Sequence, residues 1–397
     1  MKKAILLIID GLGDLPTPKT PLQAGKIPNM HKAAKNGITG MLSSVERFVV
    51  PGSDTSHLNI LGYDPEIFYP GRGPLEALGL GIDLREGDVA FRANFATMKN
   101  GKIVDRRAGR IDTATAGKLA SRLSLRIDHV EAIFRSSVEH RGVLVLRGPG
   151  LSHFVTGTDI HASTGALEPC SAITSEGDKT ADIVNKYTQV IQGILAAAPE
   201  NQGRSLPANT LLLRGAGTFK HVPSFYDRFG MKAACVAGGA LYRGVARYLG
   251  MDVFIVPGAN GTKTTNLKGK ADAAVKAIKG DYDMVFLHVK ACDNAGHDGD
   301  FNGKKAFLER IDKEMIPILV KSGACLIVTG DHSTPCARKA HSGHEVPLLV
   351  SCDQERRDEV GRFDELACMH GGLGHLNGHD IVPLILNLIA KAEKYGS

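Results

Sequence analysis

The sequence predicts an α/β protein with a doubly wound, mainly parallel sheet and a second α/β domain inserted into it. Short apolar runs bounded by turn residues recur along the chain, and helix-like stretches alternate with them from Met251 to Ser351. The middle of the chain loses that alternation, which points to the insertion.

The runs are Ala4–Ile9, Val143–Leu146, Leu211–Leu213, Val253–Val256, Met284–Leu287, Leu326–Val328 and Pro347–Val350. Runs that are apolar on both faces suit strands of a parallel sheet covered on both sides. The first follows Met1-Lys2-Lys3 as the apolar stretch of a secretory leader would, but it is too short and stops at Asp10-Gly11, so it reads as a core strand. From Leu75 to about Met231, segments such as Ala90–Thr97 and Gly101–Ile111 are polar, Arg-rich or alternating. We therefore expect a catalytic domain over 1–74 and 232–397, interrupted by an inserted domain over 75–231. Helices are expected over Ala240–Leu249, Ala271–Ile278, Lys304–Val320 and Ile381–Ala392.

At 397 residues the chain is long enough for two or three folding units of roughly 150 residues each. With 43% hydrophobic and 23% charged residues it matches globular averages, which excludes collagen-like and largely disordered classes. Lys and Arg number 48 against 42 Asp and Glu without a long basic block, so a small anionic substrate is expected rather than nucleic acid. No apolar run reaches the roughly eighteen residues of a membrane span, and no membrane partner is expected. Seven cysteines, odd in number and without a C-x-x-C pair, suggest reduced thiols in a cytoplasmic protein. Nothing decides between a monomer and a homo-oligomer.

Three of the runs end in the same kind of residue. Ala4–Ile9 leads to Asp10, Met284–Leu287 to Asp293 with His297 four residues on, and Leu326–Val328 to Asp331 and His332, followed by His341. Carboxyl ends of parallel strands border the ligand crevice, so these side chains are expected to converge. Clustered carboxylates repel unless compensated, and a pair of divalent cations bound by mixed Asp and His ligands resolves the conflict. Two such ions clamp the attacking and leaving oxygens in phosphoryl transfer. Ser53, in Pro51-Gly52-Ser53-Asp54, is expected as the N-cap of a helix whose free N–H groups suit a phosphate, and as a nucleophile; Ser56 competes on position alone. The stretch Gly258 to Thr264 echoes a nucleotide loop, but its Lys263 is misplaced for one. Gly371 to Gly374 follows no clear strand and is left as a candidate phosphate or metal-site loop.

These residues sit in segments that together resemble one family over essentially the whole chain. The segments are LLIIDGLGD from Leu6, VPGSDTSHLNILGYDP from Val50, GRGPLEALG from Gly71, GDVAFRANFATM from Gly87, DRRAGRI from Asp105, HVKACDNAGHDGD from His288 and GDHSTPCARKAHSG from Gly330. They resemble the archaeal-type cofactor-independent phosphoglycerate mutases of the alkaline phosphatase superfamily. The resemblance implies an alkaline-phosphatase-like sheet and interconversion of 3- and 2-phosphoglycerate through a phosphoserine, without 2,3-bisphosphoglycerate. It implies that Asp10, Ser53, Asp331 and His332 hold one metal and Asp293, His297 and His341 the second. Manganese is the leading choice, with magnesium, cobalt and zinc as alternatives. It further implies a lid domain in which Arg106, Arg107, Arg110 and Arg141 hold substrate anions and Asp159 and His161 move protons, with Lys263 touching the phosphate.

The chain departs from the family in three places. It has His341-Ser342-Gly343-His344-Glu345-Val346-Pro347 where members commonly read H-S-G-D-P-V-P, Thr158-Asp159-Ile160-His161 for T-D-P-H, and Thr264-Thr265-Asn266 for D-T-N. An alternative reading is therefore a related metal-dependent phosphotransferase or phosphatase, such as a homoserine kinase or phosphopentomutase. A non-catalytic protein that senses a phosphometabolite is a further alternative.

Overall fold

In a computed structural model, which describes residues 2–159, 165–353, 355–394 and 396, Ala4–Ile9 forms a strand, β1, with every side chain buried. The remaining strands of its sheet are β2 (Ile38–Ser43), β3 (Ala233–Val236), β4 (Asp252–Phe254), β5 (Met284–Val289), β6 (Cys325–Thr329), β7 (Val346–Ser351) and β8 (Gly374–Asn377). Their order is β4-β3-β5-β1-β6-β7-β2-β8. The first five of these run parallel, with β1 between β5 and β6 at the centre. Ile5, Leu7 and Ile9, two apart and so on one face, pack with Val285 and Leu287 of β5 and Leu326 and Val328 of β6. Leu267, Ala271 and Ala274 of helix Leu267–Lys279 and Phe307, Leu308 and Ile311 of helix Phe301–Glu314 join the same core.

Two expectations are corrected. The run at Pro347–Val350 is a strand, but β7 lies antiparallel to both β6 and β2. Residues 330–345 contain no helix to carry a crossover, so the chain returns instead. The helix expected over Lys304–Val320 is two, Phe301–Glu314 and Ile316–Val320, because Pro317 has no N–H to continue the first.

Contacts divide the chain into two compact units, Met1–Tyr69 with Pro223–Ser397, and Pro70–Val222. The second unit is built on the long strand Val89–Lys99, paired antiparallel with Arg141–Arg147 and Thr210–Thr218. Its core gathers Phe91 and Phe95 with Ile183, Val184, Tyr187 and Ile191 of helix Asp178–Ala196. The expectation that all thiols are reduced is also corrected. Cys325 of β6 and Cys352, just beyond the antiparallel β7, are joined by a disulfide, a neighbourhood invisible to their sequence separation of 27. Cys170, Cys235, Cys292, Cys336 and Cys368 are free and buried.

Candidate active site

Asp10 follows the last residue of β1, and the chain turns there through Gly11 at φ +67°. Glycine is required twice over, since a Cβ would lie 2.6 Å from Asp293 Cα and 2.8 Å from Thr334 Oγ1. β5 runs through Lys290 into helix Ala291–Asp298, where Asp293 and His297 are four apart on one face. β6 ends just before Asp331 and His332. Ser53 is the first residue of helix Ser53–Ile60, and Gly52 rather than Ser53 is its N-cap. The expected capping role is thus corrected, and the Ser53 hydroxyl is not engaged in capping. Ser56 is wholly buried, with its Oγ 3.1 Å from Ser44 Oγ.

The predicted ligands converge. Ser53 Oγ lies 3.1 Å from His332 Nε2, which is 3.2 Å from Asp331 Oδ2 and 3.5 Å from Asp10 Oδ1. His297 Nε2 and His341 Nε2 lie 3.3 and 3.4 Å from Asp293 Oδ1. The His332 and His341 rings stack with centroids 3.6 Å apart. The donor atoms fall into two compact groups, Asp10 with Asp331 and His332, and Asp293 with His332 and His341. His332 thus belongs to both, while His297 stands at the exposed side of the second.

Electrostatics explain how so many acids share one place. Burial opposes the charge of Asp10, but Lys290, with Nζ 3.1 Å away, holds its carboxyl well below the usual range. Burial likewise opposes ionisation of Asp293, and hydrogen bonds from His297 and His341, with Lys290 at 2.9 Å, overcome it. Burial disfavours a charged His332, yet Asp331, Asp10 and Asp293 together raise its pKa. His288 is pushed down to about 4, chiefly by burial.

Several contributors carried no recognised signal in the sequence. Tyr242 donates to Asp10 Oδ2 and stacks on His288 with centroids 3.4 Å apart. His57 Nδ1 lies 2.5 Å from the Ser53 carbonyl. Lys290 and Thr334 lie inside the segments that carry the family resemblance, and His57 is one helical turn after Ser53, so spacing was a usable signal for these three. Tyr242 comes from helix Ala240–Tyr248, where no pattern marks it.

The fit to metal ions can be judged from the donors themselves. Asp10 Oδ1, Asp331 Oδ2, His57 Nε2 and His288 Nε2 are buried without a hydrogen-bond partner among the described residues. Buried lone pairs of this kind are costly unless something occupies them. One Asp10 oxygen is saturated by Tyr242 and Lys290 while the other is bare, as a ligating carboxylate requires. The residues fit divalent cations.

Other expected residues are placed differently. Arg106 grips Asp159 through Nε at 3.0 Å and Nη2 at 2.6 and 2.7 Å, and Arg214 Nη1 reaches it at 2.6 Å. Asp159 is thus a buried anchor of two guanidiniums. Arg107 and Arg110 are exposed on the loop after strand Lys102–Asp105, and Arg141 is exposed at the start of its strand. Arg92 and Arg72, which sequence reasoning passed over, share Glu76 at 2.8 and 3.1 Å. His161 lies outside the described residues. Lys263 is on an exposed loop, Thr265 is buried with Oγ1 accepting from Asn260 N–H, and Asn266 caps helix Leu267–Lys279. Gly371 to Gly374 lead into β8 and pack on Thr39 and Gly40, so that loop is structural. His344 Nδ1 meets Ser342 Oγ at 3.0 Å, and Glu345 is held by Ser43 at 3.1 Å and His375 at 2.8 Å.

Fold and side chains define a class: an α/β protein gathering ionised carboxylates and imidazoles at the carboxyl edge of a mainly parallel sheet, around a serine that opens a helix. A family model described as 2,3-bisphosphoglycerate-independent phosphoglycerate mutase matches residues 34–201, and a Thermoplasma volcanium relative of that name is 44% identical over 406 residues, 100% of this chain and 99% of its own. The chain belongs to the 2,3-bisphosphoglycerate-independent phosphoglycerate mutase family. An Archaeoglobus fulgidus relative with the same description is also 44% identical, covering 99% of both chains. The solved structure of a Pyrococcus horikoshii protein matches with TM-score 0.87 at 36% identity, over 100% of this chain and 99% of its own. A cofactor-independent phosphoglycerate mutase from Thermoplasma acidophilum matches with TM-score 0.73 at 39% identity, over 98% and 100%.

Proposed function

We propose that this chain is an isomerase that interconverts 3-phosphoglycerate and 2-phosphoglycerate in the cytoplasm, using Ser53 as the temporary phosphoryl carrier and no 2,3-bisphosphoglycerate. The observation that carries the reading is the place of Ser53 Oγ, 3.1 Å from His332 Nε2 beside ionised carboxylates with bare lone pairs. Ser53 gives up its hydroxyl proton as Oγ attacks the substrate phosphorus in line, and the leaving glycerate oxygen takes up a proton; the glycerate reorients, and its other hydroxyl gives up a proton as it takes the phosphoryl group back from Ser53, whose Oγ is reprotonated. Asp10, Asp331 and His332 with Ser53 would hold one divalent cation, and Asp293, His297 and His341 the other. When bound, the pair supplies positive charge that favours the serine alkoxide and offsets charge on the transferring group. His57 fixes the first turn that carries Ser53, and Lys290 adds a permanent cation beside both acids. The exposed cations Arg107, Arg110, Arg141 and Lys263 suit the substrate's carboxylate and phosphate, and Asp159 keeps Arg106 and Arg214 in a fixed fork.

Phosphorus NMR of the protein with 3-phosphoglycerate and Mn²⁺, run beside Ser53→Ala, tests this. The expected result is a growing 2-phosphoglycerate signal that falls by at least about 10³-fold in rate in the variant. Release of inorganic phosphate instead would mark a hydrolase, and an unchanged spectrum with Mn²⁺, Mg²⁺, Co²⁺ and Zn²⁺ in turn would overturn the proposal.

A further inference from the structure

The hydroxyl of Thr334 bridges Asp293 and His332, the histidine shared by the two groups of ligand residues. Its Oγ1 is 2.9 Å from Asp293 Oδ1 and 3.0 Å from His332 Nδ1. A hydroxyl has one proton to donate, and an ionised carboxylate can only accept. Asp293 has the Lys290 ammonium 2.9 Å from its other oxygen, which favours that ionised form. The Thr334 proton therefore goes to Asp293, and the Thr334 lone pair accepts from His332 Nδ1–H. In the neutral imidazole this leaves the lone pair on Nε2, the atom that faces Ser53 Oγ, Asp331 Oδ2 and Asp10 Oδ1.

We propose that Thr334 is a positioning residue that sets the His332 tautomer so that Nε2 is presented for ligation. The proposal rests on the reading of Asp293 and His332 as ligands.

The surroundings leave Thr334 no other orientation. Its N–H donates to Gly13 O at 3.1 Å, and its carbonyl accepts from Lys304 Nζ at 3.0 Å. Lys304 is wholly buried, and its ammonium also reaches Gly13 O and Asp14 Oδ2, each at 2.9 Å, so the backbone of Thr334 is pinned from both sides. A Cβ on Gly296 would come 2.3 Å from the Thr334 carbonyl oxygen and 2.8 Å from its Cγ2, so the backbone and methyl of Thr334 both pack closely on that glycine. With the methyl and backbone fixed, the hydroxyl is held toward Asp293 and His332. Metal-ligating histidines generally have their second nitrogen fixed in this way, and loss of the partner costs about 10–100-fold in metal affinity.

The test uses the full chain as wild type, Thr334→Val and Thr334→Ser. Equilibrium dialysis measures Mn²⁺ stoichiometry and affinity, and ¹⁵N-histidine NMR of the Zn²⁺-loaded protein reads the tautomer. The expected results are a wild-type His332 with protonated Nδ1 and metal-shifted Nε2, about 10–100-fold weaker Mn²⁺ binding in Thr334→Val, and recovery to within about threefold in Thr334→Ser. Wild-type Mn²⁺ affinity in Thr334→Val, equal loss in both variants, or a metal shift at Nδ1 of wild-type His332 would each overturn the proposal. The last needs no variant to fold. A wild type that binds fewer than two Mn²⁺ would overturn the ligand reading itself, and this proposal with it.

Discussion

Lys290 is the residue on which the site depends before any metal arrives. Its ammonium lies between Asp10 Oδ2 and Asp293 Oδ2, at 3.1 and 2.9 Å, and so links an acid from each group. Lys290→Met removes that compensation and should lower the stability of metal-free protein by about 3–5 kcal/mol, read as a lower melting temperature. Because a bound cation replaces the missing charge, Mn²⁺ should raise the melting temperature of the variant more than that of wild type. A smaller rise would mean that Lys290 does not stand in for the metals. A second buried acid acts at a distance from the site. Burial pushes the Glu365 carboxyl up to about 7 from 4.5, outweighing hydrogen bonds from Thr20 Oγ1 at 2.6 Å and Asp14 N–H at 3.0 Å. A pKa raised by folding favours the fold while the group is protonated. That contribution is complete below the unfolded value near 4.5 and is lost as the pH rises through about 7. Wild type should therefore lose up to about 3 kcal/mol across that window relative to Glu365→Gln, measured as urea midpoints at several pH values. Parallel curves for the two proteins would contradict it.

At the scale of elements, the close approach of the β1 turn to the Asp293 helix dominates. Gly11→Ala introduces both a strained φ and a Cβ 2.6 Å from the Asp293 backbone, and should cost more than about 2 kcal/mol in urea denaturation. Gly374→Ala shares a positive φ of +65° but meets nothing within 4 Å, so it should cost only about 1 kcal/mol. Equal losses would show that strain alone matters at Gly11. The same elements show what the sequence could disclose. β1, β5 and β6 are built on the apolar runs Ala4–Ile9, Met284–Leu287 and Leu326–Val328, which stop near an acid, so both the strands and the convergence of Asp10, Asp293, Asp331 and His332 were readable. β2 is buried and β8 mostly half-buried with His375 exposed, and Thr, Gly, Ser, His and Asn interrupt their few apolar residues, so their composition resembles loops. The direction of β7 was hidden because an apolar run is the same read either way along a ladder. The anchoring of Arg214 by Asp159 was not legible because the two are 55 residues apart, a distance that no local pattern spans.

At the scale of the molecule, each unit has its own core, one around β1 and its flanking helices and one around Val89–Lys99 and Asp178–Ala196. The residues proposed as metal ligands all belong to the first. Chelation by EDTA should therefore move the calorimetric transition of the first unit downward and leave that of the second in place, and equal displacement of both would contradict this assignment. The central position of β1 also bears on synthesis. β1 leaves the ribosome well ahead of its two partners in the sheet, which begin at Met284 and Cys325. At roughly 5–20 residues per second, the most apolar strand of the protein waits on the order of half a minute for its neighbours while the whole inserted unit is made. Nascent chains of this protein should be clients of chaperones that shield a single early strand, and slowing translation before Met284 should lower the soluble yield more than slowing it afterward.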